Sequence, residues 1–279
     1  MPGVPDIEER FVTSGSLRLW TQRTGEPGDP PLLLIMGAAA QAVTCPDALV
    51  ERLVERGAQV IRFDHRDTGL SDVVDFDAHP YTLGDMAADC LAVLDGYAIS
   101  AAHLAGASMG GILAQLLAVH APARVRSLTL LSTTPMGARP DELPPPSPPL
   151  QDHMALGLAP GVESDVALFR VFNAPVRPFD EPAVRAMLEL ALSRATDPGA
   201  AAHHHRAGAR LTPDLMAPLS SITAATTVVH GELDPVFPPA HGHALAAAIP
   251  GARLHVVPGM GHAYFSPGLP ELLADLIAL

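Results

Sequence analysis

The residues Gly106-Ala107-Ser108-Met109-Gly110 form a Gly-x-Ser-x-Gly string between the apolar run Ala102-His103-Leu104-Ala105 and the helix-forming stretch Gly111-Ile112-Leu113-Ala114-Gln115-Leu116-Leu117-Ala118. This order reads as strand, sharp turn, helix, and a serine on such a turn is presented as a nucleophile, with glycines where side chains would collide with the neighbouring elements. A serine hydroxyl is a poor nucleophile at neutral pH. It needs a histidine to take its proton and an acid to orient that histidine. With this turn the expected chain order is serine, then acid after a late strand, then histidine after the last strand.

Both partners are present in that order. Val228-Val229-His230-Gly231-Glu232-Leu233-Asp234 puts Asp234 just past an apolar strand, and Val256-Val257-Pro258-Gly259-Met260-Gly261-His262 puts His262 past the next. Glu232 is the nearest rival acid, and Asp141 or Glu142 a remoter one. Of the thirteen histidines, His241 and His243 fall in an expected helix and His255 in an expected strand, and only His262 combines the loop after the last strand with flexible glycines that let its ring approach Ser108. His203-His204-His205 reads as a solvated helix face, because consecutive helical residues cannot all face one ion. No metal and no cofactor is expected.

Attack on a carbonyl generates an oxyanion, which backbone N–H groups stabilise; loss of one such donor costs about 2.7–4 kcal/mol of barrier. The Met109 amide, directly after the serine at a helix start, is one expected donor. The second is expected from Met36-Gly37-Ala38-Ala39-Ala40, through Ala38, after the apolar run Leu32–Met36.

These residues need a scaffold that brings several strand ends together. Apolar runs alternating with helical stretches predict an α/β fold: a mostly parallel sheet with helices on both faces. Strands are expected at Leu17–Thr21 as an early edge, then at Leu32–Met36, Gln59–Phe63, Ala102–Ala105, Val125–Leu131, Thr227–His230 and Arg253–Val257. Helices are expected at Asp47–Arg56, Leu83–Leu94, Met109–His120, Ala240–Ala248 and Pro270–Leu279. The rhythm breaks at the proline-rich run Asp141–Pro149, which cannot continue a strand or helix interior. Short apolar helices punctuated by prolines follow from Gln151 to Pro218. We therefore expect a core of residues 1–136 and 219–279 and an inserted helical cap at 137–218.

Composition narrows the function. The 279 residues suit one such unit, and a net charge of −13 with 17 arginines and no lysine argues against nucleic-acid or anionic-membrane partners. No run approaches the ~18 apolar residues of a membrane span, and the start Met1–Asp6 lacks a basic segment followed by an apolar one, so a soluble cytoplasmic protein is expected. Cys45 and Cys90 read as two ordinary thiols.

The serine elbow, the Met36-Gly37 loop, Asp64-His65-Arg66-Asp67-Thr68-Gly69-Leu70-Ser71, Asp75-Phe76-Asp77-Ala78-His79-Pro80-Tyr81 and Gly259-Met260-Gly261-His262 together resemble α/β-hydrolases, and within them the aclacinomycin methylesterase type, which cleaves a methyl ester from anthracycline polyketides. The resemblance implies an eight-stranded core, a helical cap and a triad of Ser108, Asp234 and His262. It covers about residues 15–135 and 225–265; the cap matches only in position and helical character. The expected activity is hydrolysis of a small-molecule carboxylic ester, with a bulky polyketide-like or other apolar ester as the substrate class. Gly37, Ala39, Phe169, Phe172, Phe237, Tyr264 and Phe265 are the candidate pocket residues. Lactonase, thioesterase, carbon–carbon hydrolase and cofactor-free perhydrolase chemistry would keep the same triad, and a non-catalytic ligand cage would keep only the fold.

Overall fold

The computed structural model describes residues 7–139, 141–210, 215 and 217–279. Residues 1–6, on which the reading of the N-terminal start rests, lie outside the described set, as do 140, 211–214 and 216 of the inserted segment.

Eight strands form one sheet: β1 (Ile7–Ser14), β2 (Leu17–Thr24), β3 (Pro31–Ile35), β4 (Gln59–Phe63), β5 (Ala102–Ala107), β6 (Val125–Leu131), β7 (Ala225–Gly231) and β8 (Arg253–Val257). Their spatial order is β1-β2-β4-β3-β5-β6-β7-β8. β2 runs antiparallel to both its neighbours, and every pair from β4 to β8 is parallel. Leu17–Thr21 is thus the second strand and not the edge. The edge is β1, whose Glu8-Glu9-Arg10 interrupts any apolar run and which buries only Val12; its register against β2 carries the pairing.

All five residues of β3 and of β4 are buried, as a parallel sheet covered on both faces requires. The pleat sorts them. Leu33 and Ile35 pack with α2 (Leu83–Gly96), α3 (Met109–His120) and α8 (Ala240–Ala248), while Leu32 and Leu34 pack on the other face with α1 (Asp47–Glu55) and α9 (Leu269–Leu276). Between β6 and β7 the chain leaves the sheet for α4 (Pro148–Ala155), α5 (Val162–Asn173), α6 (Glu181–Arg194) and α7 (His203–Gly208). These helices have a small core of their own, Val166, Val184 and Leu188, with Phe169 and Phe265 against it. No helix among the described residues is long and apolar enough to cross a membrane.

The first turn of α3 lies hard against the end of β3. A Cβ on Gly110 would overlap the carbonyl oxygens of Ile35 and Met36, and one on Gly106 would overlap the Gly110 carbonyl. The glycines two residues either side of Ser108 are therefore required by backbone contact, which cannot yield as a side chain can. Gly110→Ala is expected to cost about 3 kcal/mol or more, whereas Gly28→Ala, where a Cβ meets nothing within 4 Å, should stay within about 0.5 kcal/mol. Urea denaturation of the two variants makes the comparison, and equal midpoints would contradict it.

Candidate active site

Ser108 follows β5, Asp234 follows β7 and His262 follows β8. Because β5 to β8 are parallel, all three leave the sheet at the same carboxyl edge, where open α/β sheets bind ligands. Ser108 has φ 54° and ψ −121°, the left-handed side of backbone space that a residue with a Cβ seldom adopts. Its carbonyl accepts from Gly111 N–H at 2.9 Å and from Thr133 Oγ1 at 2.6 Å, and its own N–H donates to Leu131 at 3.0 Å. The turn is thus held on both sides while the side chain stays partly exposed.

The acid and the histidine meet closely. His262 Nδ1 lies 3.0 and 2.9 Å from the two carboxylate oxygens of Asp234. An ionised carboxylate only accepts, so Nδ1 carries the proton and Nε2 is left with a lone pair to act as base. Burial by itself would raise the Asp234 carboxyl, but the charge and hydrogen bond of His262, with the Phe237 amide, outweigh it and hold the group below its ordinary value. Val236 and Phe237 N–H groups donate to Oδ1 at 2.9 and 3.0 Å and fix the carboxylate's direction. Glu232 is exposed and accepts from the Gly259 N–H at 2.8 Å, so it orders the turn before His262. Asp141 and Glu142 are engaged on the surface with Arg139.

The His262 ring is flanked edge-on by Phe172 at 5.3 Å and Phe237 at 5.8 Å between ring centroids. The backbone N–H of His262 donates to the Phe172 carbonyl at 2.7 Å, and a Cβ on Gly261 would overlap that same carbonyl. Phe169 packs edge-on against Phe172 and Phe265. Tyr264 departs from its expected place. It packs among Cys45, Leu269 and Leu273 on the α1/α9 side, buried enough to push its phenol well up, because the chain turns inward after the histidine. The ring also stacks on Phe265, with centroids 5.6 Å apart.

Gly37 faces the serine: a Cβ there would come 3.2 Å from Ser108 Cβ and 3.7 Å from Oγ. The turn Gly37–Ala40 closes with Ala40 N–H to Gly37 O at 3.3 Å and carries Ala39 at φ 60°. Ala38 follows Gly37 in this turn, and Met109 follows Ser108 as the first residue of α3.

Two residues beside this turn escaped the sequence reading as functional. His65, fully buried, donates from Nε2 to the Met36 carbonyl at 3.0 Å. His204 is also buried and not on a solvated face, which corrects the reading of the histidine run. In a helix, three consecutive side chains point in three directions: His205 is exposed, His203 reaches Asp67 Oδ2 at 3.1 Å, and His204 turns inward. The run's inability to share one ion was itself the available signal that one member could face the core.

Burial, with the neighbouring His204 imidazole and the Arg66 guanidinium disfavouring a further proton, lowers His65 to about 3 against the opposing Met36 bond. The unfolded chain then takes up a proton near pH 6.5 that the folded one refuses until about pH 3. Stability is full above 6.5 and falls through that window by about 1.4 kcal/mol per pH unit for this group. Urea midpoints at pH 7 and pH 5 should show a loss that is shallower in His65→Gln, which keeps a donor for Met36; an equal slope in the variant would contradict this.

Comparison with known proteins gives a consistent picture. The family model described as the alpha/beta hydrolase fold matches residues 30–268. The chain is 38% identical over 275 residues to the rhodomycin D methylesterase DnrP of Streptomyces peucetius, covering 91% of this chain and 92% of that one. It is 37% identical to the rhodomycin D methylesterase DauP of Streptomyces sp. strain C5, with the same coverage of both. Among solved structures it is similar to a hydrolase from Pseudomonas aeruginosa PA01, with a TM-score of 0.74, 28% identity and 96% of each chain covered.

Proposed function

This chain belongs to the α/β-hydrolase family, and from that premise we propose that it is a serine carboxylic ester hydrolase whose reacting groups are Ser108, His262 and Asp234, with the amides of Met109 and Ala38 as oxyanion donors. The observation that carries the reading is the Asp234–His262 pair, which leaves Nε2 basic on the same sheet edge as a serine in a forced turn conformation.

In the reaction, His262 Nε2 takes the proton of Ser108 as Oγ bonds to the ester carbonyl carbon. The carbonyl oxygen becomes an oxyanion between the two amides, at the N-terminus of α3, where the helix dipole also favours negative charge. Collapse breaks the bond to the alkoxy group, which leaves as an alcohol with the proton returned by His262. Water, deprotonated by His262, then cleaves the acyl-enzyme to the free acid and restores Ser108. Asp234 stays ionised throughout and stabilises the imidazolium at each transfer.

The substrate class is a methyl ester on a bulky, apolar acid. Two relatives that span nine-tenths of the chain are rhodomycin D methylesterases, and Phe172 and Phe237 flank the histidine, with Phe169 packed on Phe172 and Phe265 on Phe169. Residues 137–218 serve in this reading as a cap over the core formed by 1–136 and 219–279, and Gly37 and Ala39 border the pocket floor. Cys45 and Cys90 are free and buried, which agrees with a cytoplasmic setting.

Ser108→Ala is expected to abolish hydrolysis of short p-nitrophenyl esters with the thermal transition unchanged. Asp234→Asn should lower kcat by about 10⁴-fold through loss of the tautomer lock, and Glu232→Gln by no more than a few-fold. Turnover retained without Ser108 would overturn the mechanism, and the opposite ranking of the two acids would reassign the third member.

A further inference from the structure

The turn that carries Ala38 is gripped at both ends by imidazoles. At its start, His65 Nε2 donates to the Met36 carbonyl at 3.0 Å. At its far side, His204 Nδ1 accepts the Ala39 N–H at 3.0 Å while His204 Nε2 donates to the Arg66 carbonyl at 2.8 Å. Arg66 follows His65 in the chain, so the two rings close a loop of hydrogen bonds around residues 36–39, and they meet edge-on at 5.7 Å between centroids.

The backbone at this point needs holding. Ala39 sits at φ 60° without being a glycine, a conformation that costs an L-residue stability unless its surroundings impose it. Its side chain is exposed and supplies no packing. The hydrogen bond from the Ala39 N–H to His204 holds the peptide on the C-terminal side of Ala38, beside the Ala40 N–H to Gly37 carbonyl bond that closes the turn.

We propose that His204 is a positioning residue for the oxyanion hole: by accepting the Ala39 N–H it fixes the strained turn so that the Ala38 amide faces the carbonyl oxygen of the substrate. This role rests on the ester-hydrolase reading above. Burial lowers the imidazole's proton affinity, so Nδ1 keeps the lone pair the contact needs. The ring comes from α7, in the segment between β6 and β7, whereas the turn belongs to the sheet. The inserted segment thereby contributes to the chemistry as well as to the pocket wall.

Two amide substitutions separate the ring's nitrogens. In His204→Gln the terminal amide lies where Nε2 was and can still donate to Arg66, but nothing accepts the Ala39 N–H. In His204→Asn the amide oxygen lies where Nδ1 was and accepts it. With p-nitrophenyl butyrate, His204→Gln should lose about 10²-fold in kcat with KM little changed, and His204→Asn should keep kcat within a few-fold of wild type. Affinity for an alkyl trifluoromethyl ketone, which binds as an oxyanion on serine, should fall in step with kcat across the series. Should His204→Gln not fold, replacing Ala39 by lactic acid deletes the same N–H as a backbone ester and is expected to give the same loss. Unchanged kcat in His204→Gln or in the Ala39 backbone ester, equal losses in the Gln and Asn variants, or lost kcat with undiminished ketone affinity would overturn the role of His204. A wild-type protein that neither hydrolyses the ester nor binds the ketone would instead overturn the ester-hydrolase reading beneath it.

Discussion

The backbone of α3 meets the end of β3 with no room for a side chain between them, since a Cβ on Gly110 would overlap the carbonyls of Ile35 and Met36. This approach ties the serine turn after β5 to the turn after β3, its neighbour in the sheet. Everything chemical follows from that junction. It sets Gly37 against Ser108, and it is made of hard backbone contacts in a close-packed interior, which deform little. The parallel register from β3 to β8 then delivers the acid and histidine loops to the same edge.

A second layer of buried polar bonds joins the inserted helices to this edge. His262 and Ala263 N–H groups both donate to the Phe172 carbonyl, and Ser266 Oγ donates to Asn173 Oδ1 at 2.7 Å. On the other side Arg194 pairs with buried Asp64 at 2.8 Å, and Gln41 donates to the Ala191 carbonyl at 2.6 Å. Breaking such bonds leaves buried polar groups unsatisfied, at about 1–3 kcal/mol each. The inserted segment is therefore bound to the histidine loop at one end and to the turn after β3 at the other.

How much of this was legible in the sequence depended on whether a signal was local. The serine turn, the strands at Gln59–Phe63, Val125–Leu131 and Arg253–Val257, and α3 and α8 carry their period or glycines within a few residues, and the structure has them at those bounds. β1 was missed because its order comes from pairing with β2 and from one buried valine. Asp234 and His262 were legible from their place after strands, and of the aromatic candidates Phe172 and Phe237 do flank the histidine ring, whereas Tyr264 is buried in the cluster with α1 and α9, a placement set by contacts with distant segments. The string Asp64–Ser71 was read as a family mark. In the fold it is a scaffold, with Asp64 accepting from Ala42 and Leu70 N–H groups, Ser71 Oγ bonded to the Asp64 carbonyl, and Arg66 paired with Asp89. Such roles belong to contacts between distant segments, and no spacing within the string encodes them.

In the proposed reaction the serine turn, the amides of Met109 and Ala38 and the Asp234–His262 pair act on one tetrahedral centre. A crystal structure of the protein after reaction with a methyl alkylphosphonofluoridate tests it most directly, because the phosphonyl group bonded to serine mimics that centre. Phosphorus is expected on Ser108 Oγ, its free oxygen about 2.7–3.1 Å from both amide nitrogens, and His262 Nε2 within hydrogen-bond reach of the serine or alkoxy oxygen. An adduct on another residue, or a phosphonyl oxygen turned to solvent away from both amides, would contradict it.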